Sequence, residues 1–212
     1  MRKKTNSVKI ILIIFLSALS HTIHAQWTPS GTSIYNTNTG NVGIGTTSPG
    51  YKLDVSGNIN IINGNSRYLI AGFPVLSVKG TRNTFGGKNA GNSNTGLNNT
   101  AFGFRALFSN TTANSNTAIG SAALYNNVSC NAQTAVGDSA LYTQSVNGSA
   151  NTAVGAKALF YADNYVTANS AFGYQALYHM VGNGTAPPSR YNTAVGYQAM
   201  NLASSGDQNT AV

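Results

Sequence analysis

One short unit, Asn-Thr-Ala-(Val/Ile/Phe)-Gly-x-x-Ala-Leu-aromatic, recurs through the second half of the chain and limits the fold more than any other feature. NTAFGFRALF starts at Asn99, NTAIGSAALY at Asn116, QTAVGDSALY at Gln133, NTAVGAKALF at Asn151, NSAFGYQALY at Asn169 and NTAVGYQAM at Asn192. A cut-off NTAV follows at Asn209, and a weaker copy, NTFGGKNAG, stands at Asn83. From Asn99 onward the starts lie 17, 17, 18, 18, 23 and 17 residues apart. A unit this small cannot bury its own apolar face, so a fixed period of this kind predicts stacked coils, each pairing with the next.

Within a unit, Asn-Thr-Ala-Val reads as a four-residue strand. Period-two alternation puts Thr and Val/Ile/Phe on one face and Ala on the other. The Ala column (Ala101, Ala118, Ala135, Ala153, Ala171, Ala194) asks for a close neighbour, either the inside of a narrow coil or a partner chain. The glycines after the strand (Gly103, Gly120, Gly137, Gly155, Gly173, Gly196) are expected where φ turns positive or backbones approach closely. Ala-Leu-aromatic reads as a second short strand or as one helical turn, and its length does not decide between them. Stacked Asn residues at the unit start, with Gln133 as a substitute, predict a side-chain ladder. At ~4.8 Å per rung, seven coils make a rod of roughly 30 Å.

Upstream, the chain begins with Arg2, Lys3, Lys4 and Lys9 around an apolar run, Ile10 to Leu19, and then Ala25 before Gln26. This is the layout of a cleaved export signal over 1–25, and the run falls short of the ~20 apolar residues a membrane span needs. Residues 26–82 are turn-rich, with short apolar pieces at 33–35, 41–44 and 51–55 and a strand-like stretch from 59 to 82. Asn63-Gly64 is a hairpin-grade turn there, and Pro74 calls for an edge or a bend. The repeats fill 83–212. The fold class is therefore all-β, a parallel repeat solenoid behind a short β-rich segment.

These residues resemble two families. The Asn-(Thr/Ser)-Ala-(Val/Ile/Phe)-Gly-x-x-Ala unit looks like the head repeats of YadA-like trimeric autotransporter adhesins. GNVGIGTTSPGYKLDVSGNI, residues 40–59, with AGFPVLS at 71–77, looks like the stalk-leading sequence of phage-tail-fibre-like surface proteins of Bacteroidetes-type bacteria. The resemblance covers 26–212 and implies a left-handed parallel β-roll, a homotrimer, and a non-catalytic, adhesin-like role at the outer cell surface or after secretion. In the second family a C-terminal intramolecular chaperone domain of the endosialidase type commonly follows. Here the text stops at Val212 inside a repeat, which reads as a truncated product with an open last strand. The period is also longer than the shorter head repeat of the adhesins.

Composition argues against most chemistry. Only 8% of residues are charged, and all four acids are Asp: Asp54, Asp138, Asp163 and Asp207. Beyond the leader there is one histidine, His179, and one cysteine, Cys130, so catalytic triads, carboxylate pairs and Cys/His metal sites fail on count. Twelve basic residues less four in the leader leave eight, scattered rather than striped, for a net charge of +4 without a nucleic-acid footprint. Gly43-Ile44-Gly45 lacks the third glycine of a dinucleotide motif, and the Asn-x-Ser/Thr triplets at Asn98 and Asn110 are expected by chance. No enzyme, cofactor or metal is therefore expected, and Cys130 reads as an incidental thiol. Two roles remain: a surface fibre, or a soluble solenoid that binds a flat surface, ice or glycan through its Thr column, which Ser170 interrupts. The aromatic column (Phe108, Tyr125, Tyr142, Phe160, Tyr178) is read either as core or as an exposed glycan strip.

Overall fold

The computed structural model describes residues 27–30, 33–36, 40–59, 67–71, 73–144, 146–162, 164–180, 189–203 and 206–212. The predicted leader, Asn63-Gly64, Asp163 and the insertion at 183–188 lie outside them. The chain divides into two compact units, 1–60 and 61–212.

The first unit carries two small pairings. β1 (Trp27–Ser30) and β2 (Ser33–Asn36) form an antiparallel hairpin. β3 (Val42–Ile44) and β4 (Leu53–Val55) pair in parallel, Val42 opposite Leu53 and Ile44 opposite Val55. Three apolar pieces of the sequence thus become β2, β3 and β4. Gly43-Ile44 lies in β3, Gly45 follows it at φ +74, and the chain runs on to β4 without a helix.

The second unit is a β-solenoid built on one ten-stranded sheet. Eight strands form its parallel ladder: β7 (Thr84–Gly86), β8 (Thr100–Phe102), β9 (Thr117–Ile119), β10 (Thr134–Val136), β11 (Thr152–Val154), β13 (Ser170–Phe172), β15 (Thr193–Val195) and β16 (Thr210–Ala211). Each pairs in register with the next, so Thr meets Thr, with Ser170 in one place, and Ala meets Ala from Ala101 onward, where Phe85 faces it across the first pairing. The strands are one residue shorter than the sequence suggests, because the leading Asn stands outside as a buried bracket. At the near end, β5 (Arg67–Ile70) and β6 (Phe73–Ser77) add an antiparallel hairpin, with β6 pairing to β7. The second unit therefore takes in this hairpin together with the repeats that start at Asn83. The hairpin turns at Ala71, whose φ is +49. Pro74 sits beyond the two residues that β7 reaches, beside a register shift at Tyr68/Leu69, so its missing N–H breaks no ladder bond to β7.

Ala-Leu-aromatic is neither strand nor helical turn. The sign of φ alternates: Gly103, Arg105 and Leu107 have φ of 137°, 56° and 53°, while Phe104 and Ala106 are not positive. Gly103 and Arg105 donate their N–H groups back to Gly86 and Lys88, and Leu107 and Ser109 donate forward to Ala123 and Tyr125. Hydrogen bonds therefore link the coils on this side as well as along the strands. A left-handed leucine costs roughly 1–2 kcal/mol. Full burial of its side chain returns about 1.5–3 kcal/mol, and Leu107, Leu124, Leu141, Leu159 and Leu177 are all fully buried. In two coils a two-residue strand follows this unit, β12 (Tyr161–Ala162) and β14 (His179–Met180), paired in parallel.

One core cluster runs the length of the solenoid, made of the strand Ala column, a second Ala column (Ala106, Ala123, Ala140, Ala158, Ala176) and the Leu column. The close neighbour that the strand alanines call for is the inside of their own coil. A partner chain is not needed to explain them.

Candidate functional site

With Ala inward, the outward residues of each strand are Thr and Val/Ile/Phe, and they make two parallel columns on an exposed, in-register face. The Thr residues from 100 to 193 are half-buried, and Phe102, Ile119, Phe172 and Val195 are 39–43% exposed. None of the strand residues on this face between Thr100 and Val195 carries a charge. Thr95, Thr111 and Thr143, at the coil corners, give their hydroxyls to the backbone oxygens of Thr111, Val128 and Phe160. The strand threonines make no such bond among the described residues, so the difference between the two sets is built by position.

The polar ladder inside is a set of brackets, not a stack of amides alone. Asn83 Oδ1 accepts the backbone N–H of Asn99, Asn99 Oδ1 that of Asn116, and Asn116 Oδ1 that of Gln133. Gln133 Oε1, Asn151 Oδ1 and Asn169 Oδ1 continue the series to Asn151, Asn169 and Asn192. In some coils the amide nitrogen also holds the far corner, as Asn99 Nδ2 does Ala113 O at 2.8 Å and Asn192 Nδ2 does Gly206 O at 2.7 Å.

Sequence reading missed a second buried polar column, Asn94, Asn110, Asn127 and Gln144. Each lies eleven residues after the first-column residue of its coil, so the spacing carried the signal. Asn127 Nδ2 donates to Cys130 O and Asn127 Oδ1 accepts the Cys130 N–H, while Gln144 Nε2 donates to Val166 O. In the next coils Ala162 and Met180 take this place, where β12 and β14 supply backbone pairing instead. Asn110 is fully buried with its amide on Ala113 O, so its Asn-x-Thr triplet serves structure, whereas Asn98 is exposed. Among the described residues three buried side-chain atoms, Asn110 Oδ1, Asn116 Nδ2 and Gln133 Nε2, lack a protein partner.

The aromatic column answers to neither reading of it. Phe108, Tyr125, Tyr142, Phe160 and Tyr178 are half-buried and stacked ring on ring, with centroids 5.0–5.4 Å apart and planes 5–16° apart. Each inner ring covers the faces of its neighbours and shows solvent only its edge. A sugar that stacks on an aromatic face has no free face there.

The residues with catalytic chemistry are dispersed. His179 lies on β14 with its ring 5.4 Å from that of Tyr161. Asp138 accepts the Ser139 hydroxyl, Asp54 the Gly50 N–H, and Asp207 forms an ion pair with Arg190 at 3.3 Å. Cys130 is buried, not displayed for a bridge to another chain; burial pushes its thiol pKa up, opposed by the backbone N–H of Gly148. Among the described residues no group of three or more His, Cys, Asp or Glu could hold a metal, and no helix is long and apolar enough to cross a membrane. A cleft of about 180 Å³ beside Pro74 and Gly91 is partly closed by Lys79, whose Nζ donates to Asn92 O at 2.7 Å.

No family model, curated protein or solved structure matches this chain.

Proposed function

We propose that the chain is an exported, non-catalytic structural fibre of the cell surface, adhesive through its side-chain columns. The observation that carries this reading is the in-register ladder of eight parallel strands, bonded coil to coil on more than one side. Such a stack repeats one rung and yields length and stiffness, with its distinctive side chains on an open face instead of in a deep concave site. The scattered His, Cys and Asp support a role without catalysis.

Assembly is proposed to run through the residues ahead of the repeats. A two-stranded sheet alone is marginal in water, yet β3 and β4 leave Ile44 54% and Leu53 58% exposed, with Tyr51 at 78% between them. Further copies of the same chain would cover these side chains. The number three, and the left hand of the coils, come from the resemblance to trimeric adhesins.

The test is export of the full chain from a bacterium with two membranes, followed by cell fractionation, N-terminal sequencing and sedimentation. The expected product starts at Gln26, is open to added protease on intact cells and sediments as a trimer. A chain retained inside with Met1 intact would overturn the surface reading, and a monomer would overturn the assembly.

A further inference from the structure

We propose that the outward face of the long sheet is an ice-binding surface, centred on β9, β10 and β11. Its hydroxyl row is Thr100, Thr117, Thr134, Thr152, Ser170 and Thr193, held opposite one another by the strand register. In the central three coils every outward residue is β-branched: Thr117 with Ile119, Thr134 with Val136, Thr152 with Val154. Such side chains are stiff at χ1, and the hydrogen-bonded ladder fixes their backbone. The hydroxyls therefore stand at a constant rung spacing of ~4.8 Å with little entropy left to lose on binding.

The chemistry of the face selects its occupant. It is neutral, so it does not attract a polyanion. It is open and flat, so it cannot enclose a small molecule, which needs a pocket that buries most of its surface. Crystalline polysaccharide calls for a row of free aromatic faces; the strands of this face carry only Phe102 and Phe172, separated by β9, β10 and β11, and the aromatic column spends its faces on mutual stacking. What suits a rigid lattice of free hydroxyls beside methyl groups is a lattice of water. Each threonine hydroxyl can hold one water by hydrogen bond. The neighbouring methyl groups restrict the orientation of the waters between. Repetition at one spacing then orders the layer along the rod, and that layer can join an ice surface. The interruption at Ser170 keeps its hydroxyl in register and loses only a methyl.

This deepens the adhesive reading by naming the surface that would be held, and it rests on that reading only for the tether to a cell. The experiment is ice-affinity partition of the purified full chain, in which ice is grown slowly from solution and both fractions are assayed. The chain is expected to be enriched several-fold in ice over a control protein of similar size. Thr134→Lys, placed at the centre of the face, is expected to fall to the control level. Thr134→Val exchanges only the hydroxyl for a methyl group and is expected to lose part of the enrichment, so the test survives if the lysine variant fails to fold. Ser139→Lys, outside the strands, is expected to keep it. Exclusion of the wild-type chain from ice overturns the proposal. So does full enrichment of both Thr134 variants with unchanged melting. A native mass that falls on Thr134→Lys would assign the face to a second copy, and sedimentation with cellulose or chitin instead of ice would assign it to polysaccharide. Partition is measured in the test tube, so its failure is distinct from any failure of export.

Discussion

The ring of Phe85 fills the space where a side chain at position 91 would stand: a Cβ on Gly91 would lie 2.6 Å from Phe85 Cε2. In the following coils the same two positions hold Ala101 with Leu107 and Ala118 with Leu124. The first coil keeps the core volume and moves it from one side to the other. Gly91 has φ of 58° and Leu107 of 53°, so the backbone at 91 already has the shape that accepts leucine.

The pair should therefore be coupled. Phe85→Ala alone is expected to cost about 3–5 kcal/mol by opening a cavity. Gly91→Leu alone is expected to cost about 1–3 kcal/mol by overpacking. The double variant restores the consensus pair and is expected to lie within about 1.5 kcal/mol of wild type. Urea titration of all four proteins measures the cycle; additive losses would show that the two sites do not share one volume.

Gly155 sits at φ 134°, and a Cβ there would overlap the carbonyl oxygen of Gly173 in the next coil. Strain of about 1–3 kcal/mol is expected from the backbone alone, before the carbonyl is displaced. Thermal melts should rank Gly155→Val below Gly155→Ala, and both below a deletion of 183–188, which removes most of the insertion that stretches one period to 23. A deletion more harmful than Gly155→Val would mean that the coil contact at this column is dispensable.

Asn151 brackets two coils at once. Its Oδ1 accepts Asn169 N–H at 2.9 Å, and its Nδ2 donates to Gln144 Oε1 at 3.0 Å and to Val166 O at 2.8 Å. Val166 O keeps a second donor in Gln144 Nε2. Asn151→Ala therefore strands Asn169 N–H and Gln144 Oε1, at about 1–3 kcal/mol each. The exposed Ser121→Ala should change stability by less than about 0.5 kcal/mol. Equal urea midpoints for the two variants would refute the bracket.

Cys130 should be slow to react with iodoacetamide in the native protein and fast in urea, because the fold buries the thiol and favours its neutral form. A folded pKa above the unfolded one adds stability that is complete below the unfolded value and is lost as pH rises past it. Wild type should thus lose stability in the alkaline range more steeply than Cys130→Ala. Parallel pH profiles would remove the thiol as the cause.

The sequence by itself determined the coil stack, the division of Ala from Thr and Val/Ile/Phe between the two strand faces, and the bend at glycine, because a period repeated six times leaves one architecture that buries every copy alike. Local chemistry could not determine the rest. Ala-Leu-aromatic holds too few residues for a helix or strand to declare itself, and only bonding to coils above and below settles its alternating backbone. The neighbour of the Ala column, the bracket role of Asn and the face-to-face closure of the aromatic rings are relations between residues one coil apart. They exist only once the coils are stacked. The column from Asn94 to Gln144 was written at a constant offset of eleven, yet polar residues there look like loop until the coil closes around them and turns them inward.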